Sequence, residues 1–205
     1  MPNIANFIGI DVYHGDGVID WPTVAKQNVS FAYLKATEGV NTIDSQFVAN
    51  RTNTAKNGIT SGAYHFYHAE LDPIAQAKHF CDTVSQVAAY EIAPCCDFEI
   101  EVLPTGKTQA QAQADLHTFL QAVESALKTS PIIYTNYNSW VYVLGNPISF
   151  TNYHLWLADY SASPRLFGGW QEWAILQYTG SGTVKGNPNV GGCDLNKYNR
   201  GSGVL

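Results

Sequence analysis

Eight short runs of apolar, β-branched and aromatic residues recur along the chain, with turn signals between them. They are Phe7–Val12, Phe31–Ala36, Gly62–Tyr67, Ile92–Glu99, Ile132–Thr135, His154–Ala158, Ala174–Tyr178 and Val190–Leu195. Runs of this length and chemistry read as strands. Helical patterns lie between the early ones. Asp72–Ala89 puts Phe80, Val84, Val87 and Ala88 on one face, and Asp72-Pro73 supplies an N-cap followed by Pro at the first helical position. Thr108–Leu127 spaces Leu116, Phe119, Leu120, Val123 and Leu127 as one helical stripe. Asp44–Lys56 is a weaker helix, closed by Asn57-Gly58. Alternating β and α units imply a parallel sheet, and eight such strands point to a closed barrel.

A complete barrel of this kind typically needs about 250 residues; this chain has 205. After Pro131 only short helices fit. Thr179–Gly192 is a Gly/Pro/Asn-rich loop joining the last two strands, and nothing after Asn196 is long enough for a closing helix. The expectation is a truncated barrel, helical in its first five units and strand-dominated in its last three. No repeat, low-complexity tract or linker divides it.

Charged residues are only 14% and hydrophobic ones 45%. That composition excludes intrinsic disorder, which needs the opposite balance. The net charge of −6 argues against nucleic-acid binding, which relies on clustered Lys and Arg. It argues equally against a polybasic membrane patch. No window is apolar for eighteen residues, so no membrane insertion is expected. Met1–Asn6 lacks a basic region and a long apolar run, so a secretory signal is expected to be absent or already removed. Cys81, Cys95, Cys96 and Cys193 form no CxxC pair and have no His at zinc-ligand spacing. Free, buried thiols are expected.

The carboxylates carry the chemistry. Side chains two apart on a strand share a face, so Asp97-Phe98-Glu99 aims two acids the same way from the end of the fourth strand. Asp11 ends the first strand and Asp194 the eighth. In a parallel barrel all strand C-termini meet at one rim, where chemistry sits. Four carboxylates from three strands would then share one mouth. Crowded carboxylates raise one another's pKa, so one can stay protonated as a general acid, which is the equipment of glycoside hydrolysis. Spacing alone also leaves open a Ca²⁺ or Mg²⁺ site, because hard cations take oxygen ligands. By the same parity Cys95 should sit inside the barrel, one layer below the acids. Cys96 and Cys193 should point outward, with Cys81 approaching Cys96 beneath its helix.

The order of several short pieces resembles glycoside hydrolase family 25, the Chalaropsis-type lysozymes. These pieces are Gly9-Ile10-Asp11-Val12 with Ile19-Asp20-Trp21, Lys35-Ala36-Thr37-Glu38-Gly39, Gly62-Ala63-Tyr64-His65-Phe66, Asp97-Phe98-Glu99 and Leu155–Tyr160. Gln177-Tyr178 through Ser181–Val184, then Asp194-Leu195-Asn196, completes the set. The resemblance runs over Phe7–Tyr198 and implies one catalytic domain over residues 1–205, with no wall-binding domain. It implies a flattened, incomplete TIM-like barrel of five β/α units followed by three strands. It implies cleavage of the β-1,4 bond between N-acetylmuramic acid and N-acetylglucosamine in peptidoglycan. Glu99 would be the general acid and Asp97 would orient the substrate acetamido group in a substrate-assisted route. Asp11 and Asp194 would complete the acidic floor. No metal or other cofactor is expected, and the chain is expected to act as a monomer on the bacterial wall, outside the cytoplasm. A phage endolysin released by lysis, a secreted autolysin fragment and an effector injected by a dedicated secretion system are all compatible with the sequence. The other class compatible with the residues is a non-catalytic sugar-binding barrel. After Asp11 the family often has Ser and then a His- or Trp-containing stretch; here Val12-Tyr13-His14-Gly15 stands instead.

Five further residues are candidates for substrate contact. Lys35 lies inside a strand, where it could line the mouth. Tyr64 and Phe66 share one strand face and are taken as the inward pair, against His65 and Tyr67. Tyr134 and Trp156, near strand ends, are taken as sugar-stacking platforms. His14, His68, His79 and His117 read as surface or capping residues.

Overall fold

The computed structural model describes residues 8–87 and 92–203. Phe7 of the first expected strand, and Ala88 and Ala89 of the expected helix, lie outside the described residues. Eight strands close a barrel: β1 (Ile8–Val12), β2 (Val29–Glu38), β4 (Thr60–Phe66), β5 (Cys95–Asp97), β6 (Ile132–Asn136), β7 (Leu155–Ala158), β8 (Ile175–Gly182) and β9 (Cys193–Tyr198). The order around the barrel is β1-β9-β8-β7-β6-β5-β4-β2, and β1–β2 pairing closes it. A ninth strand, β3 (Thr42–Ile43), adds two residues antiparallel to the end of β2. The helices are α1 (Trp21–Val24), α2 (Phe47–Lys56), α3 (Pro73–Val84) and α4 (Gln109–Leu127), with a short π-type turn over Asn138–Val143 after β6. Counting that turn, five β/α units precede β7, β8 and β9, as the sequence predicts.

Local chemistry sets the helix ends. Asp72 accepts a hydrogen bond from the Ala75 amide at 2.7 Å, with Pro73 in the first turn. Thr108 and Gln111 form a reciprocal capping box at α4, and Lys128 leaves that helix at φ +56°. α2 begins three residues later than the sequence pattern suggests. Asp44 is engaged instead by the backbone amides of His14 and Gln46, at 2.8 and 2.9 Å.

Strand parity sorts the core into two layers. Phe31, Tyr33, Tyr64, Cys95, Ile132, Tyr134, Trp156 and Ile175 fill the barrel. Ile10, Leu34, Cys96, Ile133, Leu157 and Cys193 face outward, in the same outer core as Phe80, Leu116, Phe119 and Leu120 of the helices. The interior is tight. A Cβ on Gly9 would lie 2.2 Å from the Phe31 ring, and one on Gly62 2.6 Å from Tyr33. The four cysteines are buried and free, and Cys95, Cys96 and Cys193 lie on the faces that parity assigns.

Two expectations are corrected. The last strand is Cys193–Tyr198, not Val190–Leu195, and it runs antiparallel to both β1 and β8. Gly191-Gly192, with Gly192 at φ +110°, makes the turn that sends the chain back, and Val190 is fully exposed. Asp194 therefore begins its strand; it still reaches the rim because an antiparallel strand starts where its neighbours end. The second correction concerns β5, which pairs only over Cys95–Asp97. Phe98 donates from its backbone to Tyr134 O at 2.9 Å, and Glu99 lies just past the ladder.

Candidate active site

Inward parity builds one open cleft of about 290 Å³ at the rim where the parallel strands end. Asp11 (β1), Asp97 (β5), Glu99 (after β5) and Asp194 (β9) line it together. Asp11 and Asp194 stand directly opposite in the antiparallel β1/β9 register. Lys35, Tyr64, Phe66, Tyr134 and Trp156 line the same cleft. All nine residues singled out from sequence are thus brought together.

A cradle of amides holds Asp11. Asn196 Nδ2 donates to its Oδ2 at 2.7 Å, and Gln177 Nε2 donates to Oδ2 at 3.0 Å and Oδ1 at 3.3 Å. The amides are oriented in turn. Tyr134 and Tyr160 hydroxyls donate to Gln177 Oε1 at 3.0 and 2.7 Å, so its NH₂ must face Asp11. Trp156 Nε1 donates to Asn196 Oδ1 at 2.8 Å, with the same consequence. Tyr134 and Trp156 are consequently packed, hydrogen-bonded floor, 8% and 2% exposed. The aromatic rings open to solvent at the mouth are Tyr13 and Tyr160.

The acids share one electrostatic problem. Burial, then the charge of Asp194, pushes Asp11 well above the usual carboxylate range, against the pull of its two amides. Burial, then Glu99, raises Asp97 well above that range. Burial, then Asp194, raises Glu99, while Lys35 and the Tyr134 hydroxyl ease it down. Burial, then Asp16, pushes Asp194 up to about 6. Asp97 carries one further sign: its Oδ1 is buried and has no hydrogen-bond partner. A buried acceptor without a donor is costly unless a ligand supplies one.

Lys35 Nζ donates to Glu38 Oε2 at 2.6 Å and sits 4.7 Å above the Phe66 ring centroid. Tyr64 and Phe66 face inward. His65 instead packs under the helices, 5.1 Å from the Phe119 ring centroid, and burial brings its pKa down to about 3. Of the histidines read as surface groups, His14 contacts Asp44 at 2.7 Å, and His68 lies between Glu38 and Glu70, 3.0 Å from each. His68 thus sits half-buried in a charge network that joins Glu70, two residues on, to Glu38, a partner distant in sequence. Among the described residues no group of three or more His, Cys, Asp or Glu side chains is arranged to hold a metal ion.

The sequence reading gave no role to Tyr13, Tyr160, Gln177 or Asn196. Parity was the available signal. Tyr13 is two after Asp11, Asn196 two after Asp194, Gln177 two after the interior Ile175, and Tyr160 four after Trp156.

The family model for glycosyl hydrolases family 25 matches residues 10–187. The chain belongs to glycosyl hydrolases family 25. The enzyme is thus a glycoside hydrolase of the lysozyme class. It is 32% identical to lysozyme M1 of Streptomyces globisporus over 199 residues, covering 93% of this chain and 67% of that protein. It is 29% identical to an autolytic lysozyme of Clostridium acetobutylicum, covering 94% of this chain and 56% of that protein. The family 25 chain therefore spans about two thirds of the first relative and little more than half of the second. The bacterial lysozyme of Streptomyces coelicolor superposes with a TM-score of 0.84 at 29% identity, covering 96% of this chain and 94% of that one. A family 25 lysozyme of Aspergillus fumigatus gives 0.82 at 27% identity, covering 95% and 94%.

Proposed function

We propose that this enzyme is an N-acetylmuramidase, hydrolysing the β-1,4 bond between N-acetylmuramic acid and N-acetylglucosamine in bacterial peptidoglycan. The observation that carries the reading is the gathering of four carboxylates at one open mouth, with a buried, unpartnered Asp97 oxygen among them. Relatives and structural neighbours described as lysozymes support the substrate class.

Glu99 is assigned as general acid. It stands past the strand end, partly buried, and burial together with Asp194 keeps its proton bound to higher pH than an ordinary Glu. It would protonate the leaving glycosidic oxygen. Asp97 Oδ1 would accept the N–H of the substrate acetamido group and turn its carbonyl oxygen toward the anomeric carbon. The substrate then supplies its own nucleophile, and water completes the hydrolysis. Asp11 and Asp194 complete an acidic floor that stabilises positive charge developing on the sugar ring. Lys35, Tyr64 and Phe66 form the wall on one side, and Tyr134 and Trp156 the floor beneath the sugar. No metal or other cofactor takes part in this scheme. The proposed unit is one catalytic domain over residues 1–205, acting as a monomer on the wall.

Digestion of purified sacculi, followed by mass spectrometry of reduced products, tests the bond assignment. Fragments ending in reducing N-acetylmuramic acid are expected. Fragments ending in reducing N-acetylglucosamine would overturn the bond assignment, and sacculi bound but left intact would favour the non-catalytic barrel.

A further inference from the structure

Among the described residues lining the cleft, Lys35 is the one cation. Its position is governed from outside the cleft. A bulge in β2 between Lys35 and Thr37 breaks the alternation, and Lys35 pairs with Glu38 three residues on. Glu38 uses its second oxygen, Oε1, to face His68 Nε2 at 3.0 Å. His68 Nδ1 faces Glu70 Oε1, also at 3.0 Å. A neutral imidazole has one N–H and can satisfy one carboxylate; only the imidazolium donates to both. Burial opposes that charge, but the hydrogen bonds to Glu38 and Glu70 outweigh it and hold the His68 pKa above its ordinary value.

The histidine is itself fixed. Gln76 of α3, fully buried, accepts from the His68 amide at 2.8 Å and donates to its carbonyl at 2.9 Å. The His68 ring lies edge-on to Phe66, 5.5 Å between centroids, and Phe66 is the ring over which Lys35 sits. The charged groups facing His68 are thus Glu38 and Lys35 of β2 and Glu70 of its own loop. Lys107, which donates to Ala69 O and pairs with Asp115, is the further cation near Glu70.

We propose that His68 is a positioning residue for the glycosidase reaction: through Glu38 it fixes where the Lys35 ammonium stands in the cleft. The inference rests on reading the cleft as a muramidase site. Without His68, Glu38 keeps one donor instead of two and is free to rotate, carrying Lys35 with it. A charge displaced by about an ångström can cost up to about 100-fold in rate.

The test is a double-mutant cycle read as kcat and KM on soluble peptidoglycan fragments. His68→Ala is expected to lower kcat/KM between about 5- and 100-fold, and His68→Gln, which can still donate to Glu38, to recover part of it. In a Lys35→Met background, His68→Ala should change kcat/KM by no more than about twofold, the ordinary error of additivity. An equal loss in both backgrounds would mean that His68 acts elsewhere and would overturn the proposal. A second readout needs no turnover: the ¹⁵N signal of the Lys35 ammonium. It should move or broaden in His68→Ala and return toward its wild-type position in His68→Gln. An unchanged signal in His68→Ala overturns the positioning role whatever the kinetics. A wild-type protein that cuts no glycan overturns the muramidase reading, and the inference with it, before any variant is made.

Discussion

Gln177 and Asn196 hold Asp11 from two strands, and both amides are themselves oriented by aromatic donors below them. Replacing Gln177 with Leu keeps the volume and removes every polar contact. Two hydroxyls and one carboxylate then lose a partner, so the fold should weaken by about 1–3 kcal/mol. The midpoint of urea unfolding reads this directly, and an unchanged midpoint would show that water takes over the amide's role. Asp194 gives a prediction with a sign. Its pKa in the folded chain is about 6, against an ordinary value of 3.8. Below the ordinary value the group is protonated in both folded and unfolded chains, and folding is not penalised. As pH rises through about 6, the folded chain must ionise a crowded acid, and stability falls. Asp194→Asn should therefore raise Tm by about 2–4 °C at pH 7.5 and leave it unchanged at pH 3.5. An equal gain at both pH values contradicts the electrostatic cause. The same substitution removes the charge that raises Glu99, so the alkaline limb of kcat/KM should move to lower pH.

Strands position the site, and they do so through parity and spacing. Gly9 and Gly62 leave room for Phe31 and Tyr33 inside the barrel, where both rings are fully buried. Gly9→Ala should cost about 1–3 kcal/mol by overpacking, visible in thermal unfolding, and Phe31→Leu in the same chain should return part of it. A Gly9→Ala protein as stable as wild type would mean that the interior is looser than its contacts imply. Much of this element level was legible in the sequence. Period-two alternation placed Asp97 and Glu99 on one face, separated Cys95 from Cys96, and set Tyr64 and Phe66 apart from His65, while the shared rim of strand ends brought in Asp11. The direction of β9 was not legible, because a run of residues carries no polarity and the Gly191-Gly192 turn was read as part of a long loop. The ends of β5 and α2 were missed for a related reason. Each is set by a partner distant in sequence: Tyr134 O for Phe98, and the His14 amide for Asp44. His68 and Glu38 were illegible for the same cause, since a bulge and a loop bring them together.

At the scale of the whole molecule, a −6 chain concentrates four acids in one mouth with a single lining lysine. That arrangement costs stability at neutral pH, and it suits a reaction in which one acid holds a proton while others stay charged. Lysis should accordingly fall as pH rises past the raised pKa of Glu99. The central claim is that Glu99 delivers that proton, and Glu99→Gln isolates it, since the amide keeps the shape and cannot act as an acid. The decisive measurement is the rate of muropeptide release from purified sacculi by Glu99→Gln, beside circular dichroism and Tm on the same sample. The account predicts a rate lower by about 10²–10⁴, with an unchanged spectrum and a Tm no lower than wild type. Release within a fewfold of wild type from the folded variant would contradict it.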